Sequence, residues 1–359
     1  MGRYPRLIAD LTKIEHNTRV ISTLAAEKNI NLMGVSKCCC GEPQVAEAML
    51  KGGVVSIGDS RIENLKRLKE AGLGVDLIML RLPMLSEAGE VVKYSDISLN
   101  SEIVVISRLS DEALKNGRKH GILLMVEMGD LREGIRPDDL ERAVEQTLAC
   151  KGVELSGLGM NLACFGGVVP TEEKIEEFLS LALTIEKKFG IELKIVSEGN
   201  SANLPLLPGS KKRKRVNNLR IGEGIIVGVD AVRRDPVPGT FQDAFIVEAE
   251  LIELKDKPSV PRGEISQNAF GEKPVFEDKG IVTRGILALG RQDVVIGGLK
   301  PLDPSISILG ASSDHTIVRV DAPDKKIGDI LSFQVNYVAL LQLHTSAYIR
   351  KEYVSGPSL

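Results

Sequence analysis

Lys37 stands directly after a short apolar run, in LMGVSKCCCG. Residues 32–35 read as a buried strand, so the lysine falls where a strand ends. An amine placed there points into a cleft, and burial favours the neutral form that can attack a carbonyl. By position alone, a lysine after a strand is more often a solvated loop residue. Other polar residues shift the balance. Arg132 lies in MGDLREG, Asn161 in NLACFG, Asn200 and Ser201 in SEGNSAN, and Arg220, Gly222 and Gly224 in LRIGEG. Each group follows an apolar run of its own. For any one Gly or Asn, shaping a turn is the simpler account. Together the placements form a constellation.

Ser201 and nearby backbone N–H groups can cradle an anion, and Gly222 lets the backbone come close to it. An amine nucleophile early in the chain and a phosphate cradle late in it suggest pyridoxal 5'-phosphate (PLP), held by Lys37 as a Schiff base. Arg220 would then lie near the pyridine nitrogen. Arginine only donates hydrogen bonds, so that nitrogen would stay unprotonated. The cofactor would be a weaker electron sink, and quick reprotonation at Cα would be favoured.

The elements that must position these residues follow a rhythm. Short apolar runs fall at 30–36, 54–57, 77–80, 96–98, 122–127, 154–160, 194–197 and 218–221. Segments of helical periodicity separate them. The clearest is 172–189, where Ile175, Phe178, Leu179, Ala182, Ile185 and Phe189 share one face. An earlier strand, 6–9, leads through Asp10 as N-cap into a helix over 11–27. Eight strands alternating with helices favour a parallel (β/α)8 barrel over an open doubly wound sheet. In such a barrel, chemistry gathers at the C-terminal strand ends, and phosphates at the loops after strands seven and eight.

The run PVPG marks a hand-over. Residues 1–237 are read as the PLP-binding barrel and 238–359 as a smaller β-domain, with strands at 244–254, 280–289, 307–309, 316–320 and 330–335. The chain has 359 residues, 43% of them hydrophobic and 26% charged, with a net charge of -3. That balance argues against nucleic-acid and acidic-membrane partners. No apolar run approaches a membrane span, and the N-terminus lacks a signal-peptide core. Five cysteines, three of them consecutive at 38–40, do not make a disulfide framework. A reducing, cytoplasmic setting is expected. The thiols at 38–40 read as buried strand-end groups, and KKRKR at 211–215 as a solvated loop.

These segments resemble the alanine racemase family, the fold type III PLP enzymes, over nearly the whole chain. IADLTKIEHN is similar to the family's opening strand and helix. VSKCCCG stands at the PLP lysine, which implies that role for Lys37. GDLREG matches the G-x-x-R-x-G loop, implying that Arg132 holds the substrate carboxylate. NLACFG aligns with the residue that packs on the PLP ring, where Asn161 replaces the usual histidine. GNSAN and LRIGEG align with the phosphate segment and with the arginine facing the ring nitrogen. VNYVALL resembles the family's N-Y-E segment and implies that Tyr337 reaches the phosphate. Two positions depart from the family: Arg291 replaces the tyrosine that serves as second base, and Gly41 replaces a phosphate-binding tyrosine. The chain is most similar to the ornithine racemase branch, on VSKCCC, GDSRIENLK, GDLREG, NSANL, FGEKPVFEDKG and ILGASSDH.

GASSDH resembles the G-x-x-C-D segment of ornithine and diaminopimelate decarboxylases. That implies a role for Asp314 on the distal amine of a diamino substrate, beside the β-turn role such an aspartate commonly has. His315 could relay protons, as histidine side chains in general can, although structural histidines are commoner. Lys37 can serve one face of Cα. For the other face, His315, Asp314, Ser313 and Asp293 are candidates, and Arg291 is a poor one because it does not readily accept a proton. The resemblance implies a head-to-tail homodimer in which each β-domain completes the partner's site. It implies a racemase of a basic diamino acid, ornithine first and lysine second. Two alternatives stay open. One is a non-catalytic PLP-homeostasis protein, whose F-G-E-N-R-x-Q-E segment GDSRIENL resembles. The other is alanine racemase or another fold type III enzyme, such as an aldolase or dehydratase. Metal-dependent members need His and Cys ligands in a C-terminal domain that here has His315 and His344 and no cysteine; no metal site is expected.

Overall fold

The computed structural model describes residues 4–209 and 215–356. Of the basic run 211–215, only Arg215 lies within them. It is half-buried and donates from Nε to Glu186 at 2.9 Å, a paired residue rather than a solvated one.

Strand β1 (Arg6–Asp10) leads into a helix, Leu11–Ala26. Eight strands follow: β2 (Asn31–Val35), β3 (Ser56–Asp59), β4 (Leu77–Met79), β5 (Ile97–Asn100), β6 (His120–Val126), β7 (Val153–Met160), β8 (Ile195–Ser197) and β9 (Asn218–Ile221). They close into a parallel barrel in which β2 pairs with both β3 and β9. α-Helices separate consecutive strands from β2 to β8, and between β8 and β9 the described residues carry a 3-10 turn, Ser201–Leu206. In the helix Glu172–Phe189 the sequence sets both ends. Thr171 caps its N-terminus by accepting from Lys174 N at 3.3 Å, and Gly190, at φ 62°, ends it in the left-handed region. Ile175, Phe178, Ala182 and Ile185 are buried along one stripe. Inside the barrel, Met33, Ile78, Ile97, Leu99, Leu123 and Met125 form a packed apolar cluster. The barrel is therefore filled, and chemistry is left to its ends.

The second unit begins at Asp243 and includes β1. It contains β10 (Phe245–Pro258), β11 (Ile281–Leu287), β12 (Leu299–Pro301), β13 (Ile306–Ala311), β14 (Thr316–Val320), β15 (Ile330–Val335) and β16 (Arg350–Val354). The sheet order is β12-β15-β10-β11-β14-β13, with β1 pairing with β10 and β16. The barrel unit is Leu11–Gln242, so a boundary at 237/238 with everything before it in the barrel is corrected at both ends. The reason is β1: its backbone pairs antiparallel with β10, Ile8 opposite Ile246, and parallel with β16. Strand periodicity shows that a strand exists but not which sheet receives it. β12 and β16 also went unforeseen; each is short, and their burial does not follow a full two-residue alternation. No helix among the described residues is long and apolar enough to cross a membrane.

Candidate active site

Lys37, Arg132, Asn161, Asn200, Ser201, Arg220 and Gly222 all lie at or just beyond the C-terminal ends of barrel strands, on one rim. Parallel strands make this possible, because every strand end then faces the same way. Lys37 opens a 3-10 turn, Lys37–Cys39, directly after β2 and Ser36. It is exposed, which corrects the buried amine expected from sequence. The turn is the cause: Cys38 and Cys39 take the inward positions, with their Sγ atoms 3.7 Å apart, and the lysine is left facing out. Burial pushes the Cys39 thiol well up, which makes it inert at neutral pH.

Beneath Lys37 lies a polar network that the sequence reading did not assign. Ser36 Oγ donates to Asp59 Oδ2 at 2.7 Å, and Asn64 Nδ2 donates to Asp59 Oδ1 at 2.9 Å. All three residues are buried. Burial raises the Asp59 carboxyl, while the bonds from Ser36 and Asn64 oppose the shift. The network ties the end of β2 to the end of β3 and to the following helix, Ile62–Glu70. Asp59 and Asn64 lie in GDSRIENL, directly after the apolar run 54–57. Gly41, where the family has tyrosine, has φ 61°, and a Cβ there would stand 2.6 Å from Asn64 Cβ. This backbone has no place for a side chain at that position.

On β9, the strand next to β2 in the closed barrel, Arg220 is only 5% exposed. Its Nη1 donates to Ser197 Oγ at 2.5 Å and its Nη2 to the Met160 carbonyl at 2.6 Å; Asn161 Oδ1 lies 3.4 Å from Nη2. No ion pair to Arg220 is formed among the described residues. Burial lowers its guanidinium to about 10, helped by Arg132 and opposed by Glu133, so it remains charged at neutral pH. Asn200 Nδ2 donates to Asn161 Oδ1 at 2.9 Å and to the Leu162 carbonyl at 2.8 Å. These bonds fix the Asn161 amide, whose Nδ2 is buried with no hydrogen-bond partner. Ser201 Oγ accepts from Gly224 N at 3.1 Å, joining the loop after β8 to the turn after β9. Gly222 is packed against Val35, where an added Cβ would stand 3.1 Å from Val35 Cβ, so the two strand ends meet as closely as glycine allows. Glu223, another residue the sequence reading missed, forms an ion pair with Arg234. Burial raises its carboxyl, and the charges of Arg234 and Lys37 oppose the shift.

Arg132 lies in the loop after β6 and is exposed. It forms an ion pair with Glu133, and its Nη1 donates to Cys164 Sγ at 3.1 Å. The influence of Arg132 on Arg220 places two cations within electrostatic reach of each other.

In the second unit, Ser313, Asp314 and His315 form the exposed turn between β13 and β14. Ser313 Oγ donates to Asp314 Oδ2 at 2.6 Å. Arg291 N donates to the Ser312 carbonyl at 2.9 Å and Gln292 N to the Ser313 carbonyl at 3.0 Å, so LGRQD and SSDH are joined. The Arg291 guanidinium lies over the Phe270 ring at 4.3 Å and pairs with Glu272 at 3.0 Å. Asp293 is 9% exposed and accepts from Ser346 Oγ at 2.6 Å. Tyr337 opens the helix Tyr337–Thr345, which is capped by Asn336. Among the described residues, no group of three or more His, Cys, Asp or Glu side chains is arranged to hold a metal ion.

The alanine racemase N-terminal domain family model matches residues 9–229. The lysine racemase of Thermotoga maritima is 40% identical over 351 residues, 98% of each chain. The ornithine racemase of Acetoanaerobium sticklandii is 39% identical over 352 residues, 97% of this chain and 99% of the relative. Among solved structures, the alanine racemase of D-cycloserine-producing Streptomyces lavendulae superposes with a TM-score of 0.78 at 18% identity, over 99% of both chains. The D-threonine aldolase of Filomicrobium marinum does so with a TM-score of 0.71 at 16% identity, over 95% of this chain and 88% of that one, and at such identities the likeness is one of fold. With the family model spanning the barrel and relatives 40% and 39% identical almost from end to end, the chain belongs to the alanine racemase family.

Proposed function

We propose that this protein is a PLP-dependent racemase of a basic diamino acid, ornithine or lysine. The two racemases named above are similar to this chain at 40% and 39% identity, too close to rank the substrates. The observation that carries the reading is the Arg220–Asn161–Asn200 network. A buried guanidinium without an ion-pair partner among the described residues, beside a buried amide N–H2 without an acceptor, presents fixed donors. A planar ring bearing a nitrogen acceptor and anionic substituents suits such donors. The residues therefore fit PLP. When bound, it supplies an aldehyde that condenses with amines and an electron sink for a carbanion at Cα.

Lys37 holds that aldehyde and moves a proton on one face of Cα. Arg220 holds the ring nitrogen as an acceptor. Its guanidinium stays charged at neutral pH even when lowered to about 10, so it would offer the ring nitrogen a donor and would not take up a proton from it. Ser201, Gly222 and Tyr337 are proposed for the phosphate, and Asn161 and Asn200 for the ring. Arg132 takes the substrate α-carboxylate through its two-pronged donors. Asp314 takes the distal ammonium. The proton on the other face is assigned to Ser313 or His315 of the exposed turn. Asp293 is the weaker candidate, since its carboxylate is already engaged by Ser346. A head-to-tail homodimer is part of this reading. Leu131 and Phe165, each 74% exposed on rim loops, are apolar surface for a partner to cover.

The test is chiral chromatography of the products from L-ornithine, L-lysine and L-alanine with the PLP-loaded protein. Lys37→Ala is run beside it, and the long-wavelength absorbance of lysine-bound cofactor is recorded for both. D-ornithine or D-lysine from the wild type, with absorbance and activity lost in Lys37→Ala, is the expected result. A yellow protein inert on all three amino acids would favour the non-catalytic carrier; a colourless one would remove PLP from the account.

A further inference from the structure

Asp130 is only 1% exposed, yet it lies in a rim loop among residues that face solvent. Its carboxylate accepts from three backbone N–H groups of the neighbouring loop: Cys164 N at 3.2 Å and Phe165 N at 2.9 Å to Oδ2, and Val168 N at 3.2 Å to Oδ1. Its own carbonyl accepts from Gly166 N at 2.9 Å. A Cβ at Gly166 would stand 2.7 Å from that carbonyl oxygen, so the approach is as close as a backbone allows. The two loops follow β6 and β7, which are neighbours in the barrel. One carries Arg132, two residues beyond Asp130. The other begins at Asn161 and includes Cys164, whose Sγ receives the Arg132 guanidinium.

Both loops need holding. Leu131 at φ 57° and Ala163 at φ 52° are left-handed non-glycine residues, a conformation disfavoured for any residue with a Cβ. Bonds from N–H groups to an ionised acceptor are roughly twice as strong as neutral ones, and several converge on one buried carboxylate here. We infer that Asp130 is a positioning residue: it locks the loop after β7 onto the loop after β6, so that Arg132 and Asn161 are presented to one amino-acid substrate in a fixed relation. What those two residues bind rests on the proposed racemase reading; the lock itself does not.

The test compares the wild type with Asp130→Asn and, as a second route to the same junction, Gly166→Ala. Hydrogen–deuterium exchange is measured first on the protein without PLP. The amides of Cys164, Phe165 and Val168 should exchange at least about tenfold faster in Asp130→Asn, because their acceptor is weakened and one N–H2 now faces them. In the loaded enzyme, KM for L-ornithine should rise roughly tenfold with a smaller change in kcat. The inhibition constant of 1,4-diaminobutane, which has the ornithine chain without its carboxylate, should stay where it is. Asp130→Asn added to Arg132→Ala should raise KM no further. Unchanged exchange in both variants overturns the inference, whatever the enzyme does. So does an equal loss for ornithine and diaminobutane, or a multiplicative effect on top of Arg132→Ala. A wild type that racemises nothing would sink the proposed function and leave the exchange result to decide the lock.

Discussion

Arg220 and Gly41 show how single residues define this site. Arg220 is held by a hydroxyl and a carbonyl rather than by a carboxylate. Neutral acceptors leave its charge uncompensated and directed at whatever occupies the rim. The resemblance sets Gly41 at a phosphate-binding tyrosine of the family, and the surroundings of Gly41 leave no space for a side chain. Restoring the family residue should fail. Gly41→Tyr places a side chain at φ 61°, 2.6 Å from Asn64 Cβ. It should destabilise the barrel by about 2 kcal/mol or more through backbone strain and overpacking, read as a lower urea midpoint. A stable Gly41→Tyr that binds PLP more tightly would show that the loop can move aside.

At the scale of elements, the barrel wall keeps the rim in place. Leu123 of β6 is fully buried in the barrel interior, against residues such as Met33, Ile78 and Leu99 of other strands. Leu123→Ala removes three carbons from a packed interior and should cost about 2–5 kcal/mol, depending on how far the cavity collapses. Equilibrium urea unfolding checks this, and a loss below about 1 kcal/mol would mean that the interior repacks freely. The exposed turn 312–315 is built differently. It hangs on backbone bonds to Arg291 and Gln292, not on buried apolar contacts. Substitutions of Ser313 or Asp314 should therefore change activity with stability altered by no more than about 0.5 kcal/mol. That separation is the element-scale check on their proposed role, with thermal unfolding and KM measured on the same variants.

At the scale of the whole molecule, each unit carries one buried histidine. Burial lowers His120 of the barrel to about 4, with the Arg118 charge acting the same way and Asp96 opposing. Burial also lowers His344 of the second unit to about 4; its bond to the Leu340 carbonyl opposes the shift, and Lys351 reinforces it. An unfolded histidine titrates near 6.5. The folded state therefore resists protonation that the unfolded state accepts. The stabilisation is complete above about pH 6.5, is lost as pH falls from there to about 4, and changes no further below. Each histidine contributes on the order of 3 kcal/mol at its fullest. Unfolding free energy measured across pH 7 to 4 should fall steeply, and His120→Gln should flatten the fall. A flat profile in the wild type would show that both imidazoles protonate without cost.

The sequence by itself determined the elements and most of the rim. Hydrophobic periodicity is local, so eight barrel strands and the helix Glu172–Phe189 could be read from it. The strand-end motifs then followed, because a parallel barrel puts all such ends on one side. Tertiary structure decided what depends on partners distant in the chain. β1 looks like any first strand, yet its hydrogen bonds go to β10 and β16. Lys37 has the setting of a buried amine, but a 3-10 turn gives the inward positions to Cys38 and Cys39. Asp59 and Asp130 are ordinary loop aspartates in sequence. They acquire their roles only when Ser36 and Asn64, or the backbone of residues 164–168, are folded against them. A carboxylate's function here is set by the donors that surround it, and no local pattern encodes donors contributed by another loop.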